Sequence, residues 1–295
     1  MANAKTAKTV ETETTANNTE NVNVASEFEI DPSIMGEEFN CKRERRFPYG
    51  IVINDAEAGL FIPEKNLSKA GWVGDYKDLL VEKDLSGGKE KGIFFSNPRM
   101  IILGKMPAYL KYKSDKEKTG ELANTFIGWY DGYEGEIDKE KMDAVSDHAV
   151  LFVDTANNFL HEIPIRIRFK NVALWSLWEA LESLYTEAEL SFARRAGTVP
   201  SGKNDMWRSL IVLDLTMQGI KEGSGNNKSY CCKTVDYVHA DDFNFPSLFL
   251  GTKQKMLVAR EKMSLVEGFN NTVKALIGAA SSNLALPAAS EDYED

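Results

Sequence analysis

"HEIPIRIRFKNVALWSLWEALESLYTEAELSFARR", residues 161–195, changes its hydrophobic period at Asn171, and that change decides the fold class. Before it, Ile163, Ile165, Ile167 and Phe169 alternate with Arg166, Arg168 and Lys170. Side chains of a strand point alternately to its two faces, so this strand is apolar on one side and cationic on the other. After it, Leu174, Leu177, Trp178, Leu181, Leu184, Tyr185 and Ala188 fall at helical spacing, with glutamates mostly opposite. Asn171 is the expected N-cap.

The same criteria extend in both directions. Ile51–Ile53 and Gly59–Ile62 are short β-rich runs joined through Asn54–Asp55, the pattern of a hairpin or tight loop. Pro63 can open a short helix through Leu67 and Ala70, which Gly71 stops, leaving Trp72 to pack. "KGIFFSN" (91–97), "RMIILGK" (99–105), "AYLKY" (108–112), "TFIGWYDG" (125–132) and "AVLFVD" (149–154) read as further strands. "GEIDKEKMDAVSD" (135–147) is polar and reads as a loop or short helix. "SLIVLDLTMQGI" (209–220) and "KSYCCKTVDYV" (228–238) are two more strands across the turn "KEGSGNN", and an amphipathic helix spans about 253–277. Strands and helices in this order predict an α+β fold: an antiparallel β-sheet or OB-like barrel with a central helix and a C-terminal amphipathic helix.

The ends differ in composition. Residues 1–37 are Thr/Asn/Glu-rich with no aromatic before Phe28, too little apolar surface to offset ordering entropy, so a disordered N-terminal tail is expected. Residues 281–295 are expected to be a disordered acidic tail, closing on Glu291, Asp292, Glu294 and Asp295. A single globular domain over 38–280 lies between.

The 295 residues are 43% hydrophobic, enough for a core without disulfides or metal, and carry a net charge of −10. That charge argues against a protein coating duplex DNA indiscriminately, while leaving room for a local basic groove. Cys41, Cys231 and Cys232 do not make a disulfide framework. With no apolar leader and no run of about eighteen apolar residues, a cytoplasmic protein outside the membrane is expected.

Motifs for chemistry are weak. "GSGNNKS" (223–229) has Asn227 where a phosphate loop needs Gly before Lys, and it joins two strands, so it reads as a hairpin loop. His148 beside Asp147, and His239 beside Asp241 and Asp242, lack the spacing of metal ligands, and no cofactor or metal is expected. His161 reads as a half-exposed surface residue. No nucleophile elbow or Cys–His set appears, which favours a non-catalytic protein.

The cations are the more informative set. Arg166, Arg168 and Lys170 are joined by Arg194, Arg195, Lys203 and Arg208, and by Lys42, Arg43, Arg45 and Arg46 in "CKRERRF". Trp129 and Trp207 are the aromatic platforms expected beside them, with Trp175 and Trp178 read as core. Single-strand binders combine a cationic groove with aromatic rings on which bases stack. The expected function is therefore single-stranded nucleic-acid binding, with Arg166, Arg168, Lys170, Arg194, Arg195 and Arg208 on phosphates and Trp129 or Trp207 on bases. The competing expectations are an assembly or interaction protein, suggested by the terminal helix, and a metal-dependent nuclease.

The layout resembles bacterial and phage single-stranded-DNA-binding proteins, in which a β-barrel is followed by an acidic tail that recruits partners. This chain ends on Glu294–Asp295 without their hydrophobic terminal residues. "GIVINDAEAGLFIPEKNLSKAGW" (50–72) also resembles the opening of an uncharacterised family of cyanobacterial and mobile-element proteins, through Ile53–Asn54, Gly59–Ile62 and Ala70–Trp72. That resemblance implies a bacterial or phage setting and no assigned activity.

Overall fold

A computed structural model describes residues 47–85, 87–223, 228–266 and 269. The N-terminal tract, Cys41, the basic run Lys42–Arg46, the acidic segment 281–295 and most of the expected terminal helix beyond 266 lie outside the described residues.

The elements in chain order are β1 (Tyr49–Ile53), β2 (Gly59–Pro63), α1 (Glu64–Ala70), β3 (Leu80–Leu85), β4 (Gly88–Phe95), β5 (Arg99–Lys105), β6 (Tyr109–Tyr112), α2 (Lys116–Thr119), β7 (Phe126–Trp129), β8 (Met142–Phe152), β9 (Ile165–Lys170), α3 (Asn171–Ala196), α4 (Asp205–Arg208), β10 (Leu213–Glu222), β11 (Ser229–Tyr237) and α5 (Met256–Ser264). The strands pair as one sheet in the order β11-β10-β5-β8-β9-β1-β2-β4-β3, with β6 and β7 added alongside β8. Pairing is antiparallel except between β1 and β9, where Tyr49 lies beside Arg166 and Gly50 beside Ile167. The architecture is thus α+β, with a large, mixed, mostly antiparallel sheet.

The period change at residue 171 positions the core. Ile165, Ile167 and Phe169 are fully buried beneath Leu174, Leu177, Leu181 and Leu184 of α3. The odd-even alternation of β9 then forces Arg166, Arg168 and Lys170 onto the opposite face of the sheet. At α1, Pro63 is the N-cap and Gly71 takes φ 65 as the C-cap, a left-handed conformation that glycine adopts without strain.

The expected OB-like barrel is not formed, because the sheet does not close. The β10–β11 hairpin curls over the β1–β2 turn so closely that a Cβ at Gly219 would run into the Asp55 carbonyl. Side chains take two amides of β11. Cys232 N–H donates to Asn54 Oδ1 at 2.8 Å, and Thr234 N–H donates to Ser176 Oγ at 3.1 Å.

Three local expectations are corrected. Met142–Asp147 belongs to β8 and is not a loop; its Asp143, Ser146 and Asp147 are buried but hydrogen-bonded, so a central strand reads as polar. Lys170 is the N-cap of α3, while Asn171 accepts from Ala144 N–H and donates to Asp143. His161 is 1% exposed: its Nε2 accepts from Phe152 N–H, and its Nδ1–H donates to the Ile163 carbonyl. Strand β3 went unread because "LVEKDL" is charged, as befits the outer strand of a sheet.

Candidate nucleic-acid interface

The cationic face of β9 does not look onto empty solvent. It shares its side of the sheet with two carboxylates of β8, because Arg168 sits opposite Asp147 and Lys111 of β6 sits opposite Asp143. Arg168 donates from Nε and Nη2 to the two oxygens of Asp147, both at 2.9 Å, and the Tyr109 hydroxyl adds a third bond at 3.0 Å. Arg166 Nε stands 4.0 Å from Asp147 Oδ1. Burial alone would push the Asp147 carboxyl up, yet the hydrogen bonds and charge of Arg168 hold it below the usual carboxylate range. Burial would likewise weaken the Arg168 cation, and Asp147 outweighs it. Tyr109 is held protonated by its burial and by Asp147.

One turn of pleat further, Lys170 Nζ lies 3.6 Å from Asp143 Oδ2, and Asn171 Nδ2 donates to Asp143 Oδ1. Lys111 is buried and donates to Asn124 Oδ1 at 3.0 Å. Its burial, with Lys170 and Arg168 close by, lowers its pKa to about 8. Four cations (Lys111, Arg166, Arg168, Lys170) therefore stand around two carboxylates (Asp143, Asp147), and the face carries an excess of positive charge. Beside it, β1 and β9 part after Gly50 and Ile167, and a cleft of about 250 Å³ opens there, lined by Gly50, Ile51, Val52, Asn54, Arg168, Lys170 and Ala173.

The remaining expected residues lie elsewhere. Arg194 and Arg195 are in the last turn of α3, about 36 Å along the helix from Lys170 at 1.5 Å per residue. Arg194 Nε donates to Asp242 Oδ1 at 2.8 Å, and Arg195 donates to the Asp242 carbonyl. Arg208 lies over the Tyr185 ring, with Glu182 and Asp205 each 3.8 Å away. Trp129 packs edge-on against Tyr109 and Phe126, which places it next to the β9 group. Trp207 is half-buried among Phe192 and Phe249, against the last turns of α3. The six cations and two tryptophans thus divide into two groups and do not line one trough.

Tyr109, Lys111, Asp143 and Asp147 escaped the sequence reading. The available signal was a second alternation, Asp143–Val145–Asp147, whose spacing matches that of Arg166, Arg168 and Lys170. Two histidines are buried: His148 next to Asp147 on β8, and His161 against Phe152 at the end of the same strand. His148 has no hydrogen-bond partner on either ring nitrogen and packs edge-on against Phe169, and burial lowers its pKa to about 4. Burial does the same to His161, also to about 4.

Among the described residues, no group of three or more His, Cys, Asp or Glu could hold a metal ion, and no helix is long and apolar enough to cross a membrane. No curated protein and no solved structure matches this chain. Residues 44–280 do match a family model described as a domain of unknown function, DUF5895, and this chain belongs to that family.

Proposed function

We propose that this is a non-catalytic, single-stranded nucleic-acid-binding protein of a bacterial, phage or mobile-element system, acting in the cytoplasm. The observation that carries this reading is the unequal charge on the β6–β8–β9 face, where four cations meet two carboxylates. Asp147 fixes the Arg168 guanidinium over the face of the sheet by two bonds, so its orientation is set before any ligand arrives. A phosphodiester backbone supplies anions that such a face lacks, and Lys170 and Arg166 flank Arg168 on the same strand to meet successive phosphates. The acidic C-terminal segment, with four carboxylates in its last five residues, competes for the same cations and is also the part offered to protein partners. Fluorescence anisotropy with a labelled single-stranded oligonucleotide tests this: affinity that drops steeply between low and high salt is expected, and no binding at low salt would end the reading.

A second reading, an assembly or interaction protein without nucleic acid, draws on α5 and the residue after it, which expose Leu257 (77%), Val258 and Leu265. Light scattering separates the two, since an assembly factor self-associates or binds protein irrespective of oligonucleotide. A metal-dependent nuclease would degrade the oligonucleotide only with added Mg²⁺ or Mn²⁺.

A further inference from the structure

We infer that Phe243, on the loop after β11, is a nucleobase-stacking residue, with Arg194 and Arg195 beside it on the adjoining phosphates; this rests on the nucleic-acid reading above. Phe243 is 93% exposed, whereas Phe245, two residues later, is buried. The two tryptophans expected as platforms are committed to packing: Trp207 to Phe192 and Phe249, and Trp129 to Tyr109 and Phe126. Among the described residues, no other aromatic approaches this exposure; Tyr230 is next at 36%.

The ring is presented by a loop tied down on both sides. Asp241 Oδ1 accepts the amides of Phe243 and Asn244, both at 2.8 Å, and Asn244 returns bonds to Asp241 N–H and the His239 carbonyl. Ala240 N–H and the His239 ring both reach Glu187 of α3. Arg194 and Arg195 hold Asp242 from the same helix. The backbone that carries the ring is thus held in place before any ligand arrives, which lowers the ordering cost of binding.

Its surroundings decide what it fits. Asp241, Asp242 and Asn244 border the ring in sequence, and the guanidinium groups of Arg194 and Arg195 reach Asp242 beside it. One aromatic face matches one nucleobase, and stacking tolerates any base. Asp241 turns its carboxylate into the loop, and each guanidinium has five N–H donors, more than its bonds to Asp242 and Ser191 use.

The test compares two labelled single strands of about 20 nucleotides, one base-bearing and one abasic, by anisotropy. Phe243→Ala is expected to weaken binding of the base-bearing strand by about 5- to 150-fold and to leave the abasic strand unaffected. Phe243→Trp is expected to keep the affinity and to show quenched indole emission on binding. If Phe243→Ala binds the base-bearing strand as the parent does while Lys170→Ala weakens it, stacking at Phe243 is wrong and the nucleic-acid reading survives. Equal weakening on both strands also overturns stacking, since the loss would then lie in the backbone contacts. A parent protein that binds neither strand removes both ideas.

Discussion

Arg168 and Asp147, on neighbouring strands β9 and β8, are joined by two parallel hydrogen bonds of 2.9 Å, and the carboxylate is completely buried. The pair explains how a central strand tolerates an acid and why a cationic strand stays in place. Arg168→Met leaves the Asp147 charge buried with only Tyr109 and the more distant Arg166. Because Arg168 itself reaches solvent, the expected loss is about 2–3 kcal/mol, at or just below the low end for buried pairs. Urea unfolding measures it, and Asp147→Asn combined with Arg168→Met should recover part of the loss. A single substitution as stable as the parent would show that the pair contributes nothing.

Lys111 gives ligand binding a pH dependence. Its pKa is lowered to about 8, so the cation is complete below that pH and disappears as pH rises through it. Anion affinity at the β9 face should therefore fall between about pH 7 and 9, and bound phosphate should raise the Lys111 pKa and take up a proton. Lys111→Met should flatten this dependence; an oligonucleotide titration across that range reads the difference.

His148 and His161 make the fold sensitive to acid. Both have folded pKa values lowered to about 4, against 6.5 for an unfolded histidine. The unfolded chain binds the extra protons between those values, so stability is fully present above pH 6.5 and lost as pH falls toward 4. Each histidine should cost on the order of 2 kcal/mol between pH 7 and 5. Protonation at His161 is blocked in a specific way, since its Nε2 already faces the Phe152 N–H. Replacing either histidine with Gln should remove its share of the pH slope in denaturant unfolding.

The acidic terminus should act as an electrostatic competitor. Deleting residues 287–295 is expected to tighten oligonucleotide binding, with the gain largest at low salt and fading as screening rises. Unchanged affinity at low salt would remove the segment from the binding scheme.

The legible and illegible parts of the fold have separate physical causes. Local signals were readable: the hairpin of β1 and β2, the Pro63-to-Gly71 helix, the β9-to-α3 switch and the β10–β11 pairing across residues 222–229 all follow from short-range periodicity and turn residues. Non-local pairing was not. Nothing within a few residues of Tyr49 announces a parallel partner at Arg166, and Asn54 and Ser176 meet β11 amides far away in sequence. The candidate site was half visible, since the cations alternate on one strand while the acids that hold them lie on another.

The salt dependence of oligonucleotide affinity, compared between the parent and an Arg166→Ala/Lys170→Ala variant, tests the phosphate-binding face most directly. Arg166, Arg168 and Lys170 together contribute about −2 to the log–log slope on a single strand, and removal of two should make the slope shallower by about 1.4. A parent slope near zero, or the same slope in both proteins, would contradict a phosphate-binding role for this face.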